Sequence, residues 1–215
     1  MKIMSSESLA VFGNWAQIAS AVGTLAAVIV ALFGPQIRRV LVRPRLNLTI
    51  ENPVGVDGTD WVPDGTEEGI SLPARWYHLR VSNPHRWSPV TMVRVFLLEI
   101  EAPDASGRYR RSWIGEVPID WRFPKQVGPV LDFGFPRDCD LCSATSDKRL
   151  RLKQAIPWGI PEELLVSEAP VDLRLTLQAR GLEADSGRLR VRLCWNGVLP
   201  DDRSTMDRHL VLEKA

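Results

Sequence analysis

The chain has 215 residues, a length that suits one globular domain or a smaller domain with an appendage. Apolar residues make up 45% and charged residues 25%, which excludes a chain disordered throughout. Lys and Arg number 27 against 26 Asp and Glu, and a net charge of +1 excludes a molecule dominated by a basic nucleic-acid arm or an acidic tail.

Residues 1–8 form a short N-terminus holding Lys2 and Glu7. Residues 9–33, LAVFGNWAQIASAVGTLAAVIVALF, carry no charge. As a helix they extend roughly 37 Å, enough to cross a hydrocarbon core of about 30 Å. The run is longer than the apolar core of a cleaved signal peptide, so it reads as a transmembrane anchor. Gly34-Pro35 is expected to end the helix, because Pro cannot continue its hydrogen-bond ladder. Residues 34–45 then read as a basic juxtamembrane linker with Arg38, Arg39, Arg43 and Arg45. Cationic flanks stay in the cytoplasm. The expected topology is single-pass in the cell inner membrane, N-terminus outside, C-terminal domain cytoplasmic. Three cysteines, Cys139, Cys142 and Cys194, do not form a secreted disulfide framework and suit a reducing compartment.

At about 100° per residue, Gly13, Gln17, Ser20, Thr24, Ala27 and Ala31 share one side of this helix, with Val11, Ile18, Val22, Ile29 and Phe33 opposite. Ala19, Gly23, Ala27 and Ala31 form a small-xxx-small ladder. Small residues let helices approach closely in lipid, and Gln17 is costly there without a partner. This face is expected to pack on a second copy of the chain or on a partner membrane helix.

Residues 46–215 read as a β domain. Leu46, Leu48 and Ile50 alternate with polar residues, as a half-buried strand does. Residues 52–74 hold five acids and no cation, and are expected to form a long, solvated acidic loop. Tyr77, Leu79 and Val81 alternate with His78, Arg80 and Ser82, and Asn83-Pro84 opens a turn. A long strand follows over 90–101. Its consecutive Phe96, Leu97 and Leu98 predict a bulge or burial on both faces. Weaker strands are expected over 110–117 and 130–135, and Leu150 and Leu152 mark another. Pro161-Glu162-Glu163-Leu164-Leu165 suits a short helical turn with Pro at its first position. Val171, Leu173, Leu175 and Leu177 pair in pattern with Leu189, Val191 and Leu193 across a turn at 183–187, and Leu210 to Leu212 closes the chain. Many short strands with Gly/Pro turns predict a mainly β fold, an antiparallel β-sandwich (immunoglobulin-like) or small barrel.

Catalytic motifs are absent from the sequence: no nucleophile elbow, no zinc-protease helix, no phosphate loop, no dinucleotide fingerprint. No enzymatic activity and no cofactor are expected. His78, His85 and His209 are scattered and read as surface residues. Cys139-Asp140-Leu141-Cys142 has the spacing of a redox pair or half a zinc site, with Cys194 and His209 as distant further ligands. It falls in a stretch that reads as loop, so unassigned reduced thiols are expected and no metal. Arg174, Arg180, Arg188, Arg190 and Arg192 share the outward face of the last long hairpin with Asp172, and Arg149, Arg151 and Lys153 are expected to extend the patch. Such a face either keeps a strand pair soluble or meets an anion: the anionic lipid of the adjacent bilayer, or a nucleotide. Scattered Trp residues do not mark a stacking platform, so nucleic acid is not the expected partner.

The segment WYHLRVSNPHRWSPVTMVRVFLLEI, residues 76–100, resembles the second and third strands of bacterial immunoglobulin-like domains. The preceding single helix and the ending CWNGVLPDDRSTMDRHLVL, residues 194–212, resemble uncharacterised bacterial single-pass membrane proteins with a cytoplasmic β domain. An anchor joined to a small β domain also resembles, in layout, the STING-like membrane effectors of antiphage systems. Those have more than one membrane helix and a nucleotide-binding β-barrel, whereas one helix is visible here. The first resemblance implies a membrane-anchored, non-enzymatic interaction or sensor module. The second implies the alternative, an antiphage or stress effector whose β domain senses a ligand and whose helices oligomerise to perturb the membrane.

Overall fold

A computed structural model describes residues 6–41, 44–62, 69–85, 88–122, 134–156 and 159–215. The chain divides into Met1–Arg43 and Pro44–Ala215. In the first unit, α1 (Ser6–Leu41) is continuous. The expected stop at Gly34-Pro35 is therefore corrected: the helix runs on to Leu41, and the linker before the first strand is short. Proline removes one backbone bond, that to the carbonyl four residues earlier, and the residues after it supply their own. Gly34 meets nothing closer than Val30, so that turn is uncrowded. Gln17–Gly34 is an apolar stretch long enough to cross a membrane, none of it buried.

The second unit is mainly β, with two antiparallel sheets in a sandwich-like, curled half-barrel arrangement. One sheet combines β1 (Asn47–Ile50), β2 (Val56–Val62), β3 (Ile70–Ser82), β6 (Arg137–Thr145), β7 (Arg149–Leu152) and β8 (Val166–Glu168). Strands β1 and β2 follow one another along the same edge of β3, and β6 pairs with its other edge. The other sheet has the order β11 (Leu210–Lys214), β10 (Leu189–Trp195), β9 (Val171–Arg180), β4 (Arg94–Pro103), β5 (Tyr109–Pro118). A single turn, α2 (Glu162–Leu165), precedes β8, with Pro161 at its N-cap.

The inward residues of the alternating strands make one shared core: Tyr77, Leu79 and Val81 of β3 face Val171, Leu173, Leu175 and Leu177 of β9 and Val191 and Leu193 of β10. The Phe96-Leu97-Leu98 irregularity is a β-bulge, since the register of β4 shifts between Leu97 and Glu99 against both neighbours. The extra residue lets Leu97 and Leu98 both be buried. The expected acidic loop at 52–74 is corrected: residues 56–62 and 70–76 pair as the β2–β3 hairpin. Its pattern was hidden because the face of β2 formed by Val56, Gly58, Asp60 and Val62, which pairs with Ala74 and Trp76 on the side of the sheet turned away from the shared core, holds a glycine and an acid beside only two valines. Residues 63–68 lie outside the described part. So does most of the strand expected over 130–135, whose residues 134 and 135 are turn and coil before β6.

Candidate functional site

The most concentrated polar chemistry lies on the face of the six-stranded sheet turned away from the shared core. Its origin is a bulge. Tyr77 pairs with Cys142 and His78 with Asp140, which leaves Leu141 as an extra residue in β6. Cross-strand partners share a face, so Cys142 and Cys139 both turn inward with Tyr77 and Leu79, while His78 and Asp140 turn outward together. The C-x-x-C stretch is thus strand, not loop, and its thiols are core residues. Burial in apolar surroundings pushes the Cys142 thiol up to about 12 and raises that of Cys139 further.

His78, expected at the surface, is 3% exposed. Its Nδ1 lies 2.8 Å from Oδ1 of Asp140, off the hydrogen-bonding direction, so the contact is electrostatic rather than an aligned bond. The two open onto a cleft of about 290 Å³ completed by Val56 and Asp57 of β2, Trp76 of β3, and Arg122. On one side Arg80 donates to Asp138 at 2.9 Å and to Glu51 at 2.5 Å, and Arg122 lies 3.9 Å from Asp138. On the other, Lys153 stands 4.5 Å above the Trp76 ring and donates to both oxygens of buried Asp60 at 2.8 Å. Asp60 also accepts from the Ser143 hydroxyl at 2.5 Å. A buried carboxylate persists only when paired in this way. Asp120, near Asp140, has its carboxyl held above the usual range by burial first and by the Asp140 charge second, with Lys153 opposing.

The arrangement presents the Asp140 carboxylate, donors (Arg122, His78) and an aromatic wall to a small polar ligand, with Asp57 on the cleft wall paired to buried Arg75 at 2.6 Å. The Ser143 hydroxyl is committed to Asp60 rather than to His78. Sequence reasoning placed Asp60 in a solvated loop and Lys153 in the basic patch of the last hairpin, and gave Asp140 and Trp76 no role of their own. The usable signal was the period-two spacing of Val56, Gly58, Asp60 and Val62.

The basic hairpin is built as expected but not as charged as expected. Arg174, Arg180, Arg190 and Arg192 stand on the outward face of β9 and β10, and Arg188 just precedes β10. Acids from neighbouring strands interleave with them. Arg192 bonds Asp172 at 3.3 Å and reaches Glu213 at 3.7 Å, and Arg180 bonds Glu116 at 2.9 Å. The guanidinium of Arg174 stacks 3.6 Å over the Tyr109 ring, whose hydroxyl donates to Asp172 at 2.5 Å. The Asp172 carboxyl stays below the ordinary carboxylate value: burial would raise it, but the Arg192 and Tyr109 bonds outweigh that. The extension through Arg149, Arg151 and Lys153 is corrected. They lie in or beside β7 of the other sheet, paired with Glu168, Asp147 and Asp60.

On α1, Gln17, Ser20, Gly23, Thr24, Ala27 and Ala31 are exposed, and Gly13 belongs to the same helix. A Cβ at Gly23 would meet nothing within 4 Å. Thr24 donates its hydroxyl back to the Ser20 carbonyl at 2.9 Å, whereas the Gln17 amide and the Ser20 hydroxyl have no such bond among the described residues. Arg45 is exposed; Arg43 and the side chains of Arg38 and Arg39 lie outside the described part. A second, apolar cavity of about 470 Å³ lies among Pro103, Leu164, Pro170, Val171 and Trp195, with Asp172 and Cys194 on its wall. Among the described residues no group of three or more His, Cys, Asp or Glu is placed to hold a metal ion. No family model and no curated protein matches the chain.

Proposed function

We propose that the chain is a membrane-anchored, non-enzymatic interaction or sensor module, with α1 crossing the bacterial inner membrane once and an immunoglobulin-like β domain in the cytoplasm. The observation that carries the reading is the apolar stretch Gln17–Gly34, none of it buried, joined directly to a β domain with a complete core of its own. An unburied apolar surface of that length is stable in lipid and not in water. The orientation rests on Arg38, Arg39, Arg43 and Arg45 after the helix against Lys2 before it. The ligand-facing part of the module is the His78–Asp140 cleft. A reporter fused after Ala215 tests this: green fluorescence and no alkaline phosphatase activity are expected. Phosphatase activity would reverse the topology, and extraction of the chain by alkaline carbonate would remove the anchor.

One observation favours the effector alternative. Gln17 faces outward in an otherwise apolar stretch beside Gly23, Ala27 and Ala31. Such a group is a reason for helices to assemble, as a ligand-gated membrane-perturbing device requires. Growth arrest that needs both α1 and Gln17 supports this alternative over the module.

A further inference from the structure

We propose that the end of the β domain through which the chain enters it docks on the anionic surface of the bilayer, with Met92, Phe135 and Leu182 seated in the lipid interface. The inference rests on α1 being a membrane anchor.

The registers define that end. The start of β1, the end of β3 and the start of β6 lie together, Asn47 opposite Ser82 and Arg137 opposite Val81. In the other sheet the start of β4, the ends of β5 and β9 and the start of β10 lie together. The two groups belong to the same end of the sandwich. Residues just after β5 bond residues at the start of β6, Arg122 N–H to Asp138 and Asp140 N–H to the Asp120 carbonyl. Loops at this end hold Leu182 at 77% exposure, Phe135 at 70% and Met92 at 50%. Met92 adopts φ 53°, a left-handed conformation that is costly outside glycine, while its neighbours Val90 and Val93 are fully buried. The backbone thus holds a large apolar side chain outward.

The charge at this end suits an anionic surface. Arg45, Arg137, Arg188 and Arg190 are exposed and make no ion pair among the described residues. Of the acids nearby, Asp138 is paired with Arg80 and Glu116 with Arg180, while Glu183 accepts only from the uncharged Thr91 N–H and hydroxyl at 2.7 Å. Asp185 is the acid left exposed on the same hairpin turn. Only residues 42–46 separate α1 from β1. A chain of that length extends at most about 20 Å, which keeps this end of the domain within reach of the headgroups. Each basic side chain at such a surface raises partitioning about fivefold, and apolar side chains on loop tips add buried area.

The test uses the full chain in vesicles of phosphatidylcholine with phosphatidylglycerol, and of phosphatidylcholine alone. Nitroxide labels are placed by Leu182→Cys and, at the opposite end, Val198→Cys, each with Cys194→Ser; Cys139 and Cys142 are buried. Collision with oxygen against a water-soluble nickel chelate reads lipid or water contact. In the anionic vesicles the label at 182 is expected to favour oxygen severalfold over the label at 198, and Arg188→Glu with Arg190→Glu is expected to abolish the difference. A chain that floats with the vesicles but has label 182 as water-exposed as label 198 overturns the docking alone. A chain that does not float overturns the anchor and the docking together.

Discussion

Cys139 and Cys142 stand three residues apart, a spacing that turns side chains to opposite faces of an unbroken strand. The extra residue Leu141 turns both inward. The C-x-x-C motif is visible in the sequence; the bulge that makes it a core feature depends on pairing with β3. Burial sets the consequence. The thiol of Cys142 is held near 12 and that of Cys139 is also raised, against an ordinary value of 9.0, and Tyr77 is raised by the same desolvation. A group that keeps its proton more tightly when folded contributes stability that is intact below pH 9 and is lost as pH climbs from 9 toward 12. Thermal midpoints of the β domain are therefore expected to fall progressively above pH 9. Ellman's reagent at pH 8 is expected to titrate one thiol, half-exposed Cys194, in the native chain and three in guanidinium. Three fast-reacting thiols in the native chain would contradict the packing of β6.

At the scale of elements, β9 and β10 were legible because their inward residues, Val and Leu with Ala179 and Trp195, alternate regularly with those of the outward face. Strand β2 was not, because an acid occupies a buried position on the outer face of its sheet and becomes tolerable only through Lys153 and Ser143 from distant parts of the chain. Helix α1 is the reverse case: its face needs no tertiary context, since 3.6 residues per turn place Gln17, Ser20, Thr24, Ala27 and Ala31 together. Because Thr24 bonds within the helix, association should depend on close approach at Gly23 and Ala27 and on Gln17 finding a partner worth roughly 0.6–2 kcal/mol. Energy transfer between labelled full-length chains in vesicles is expected to drop severalfold for Ala27→Ile and for Gln17→Leu, and to be unchanged for Val22→Ile on the opposite side. Native transfer in both of the first two variants would mean that this face is not a self-association surface.

At the scale of the whole molecule, the packed core runs from Leu46 to Leu212 and, among the described residues, includes none of α1. A chain starting at Pro44 is expected to be soluble and to melt within a few degrees of the β domain in the detergent-solubilised full chain, by far-ultraviolet circular dichroism. Aggregation of that fragment with loss of its β signal would show that the domain is not self-sufficient. The sandwich puts two chemically different regions at opposite ends and a third on one face: apolar and arginine-bearing loops where the chain enters, an apolar cavity at the far end beside Trp195, and the polar cleft of His78 and Asp140 on the outer face of the six-stranded sheet.

What the sequence determined by itself was whatever depends on neighbours along the chain: the apolar helix, its small face, the alternating strands of β1, β3, β9 and β10, and the bulge in β4. These follow from the helical and strand periods acting on adjacent residues. The tertiary structure alone decided which charges are compensated. Glu213 and Glu116 came from other strands to join Asp172 in neutralising the arginines of β9 and β10, Arg151 and Lys153 found acids in their own sheet, and His78 and Asp60 were buried because partners arrived to bury them. Charge is read as a local property in a sequence, but Coulomb interactions and desolvation depend on distance in space, and strand pairing sets that distance between residues far apart in the chain.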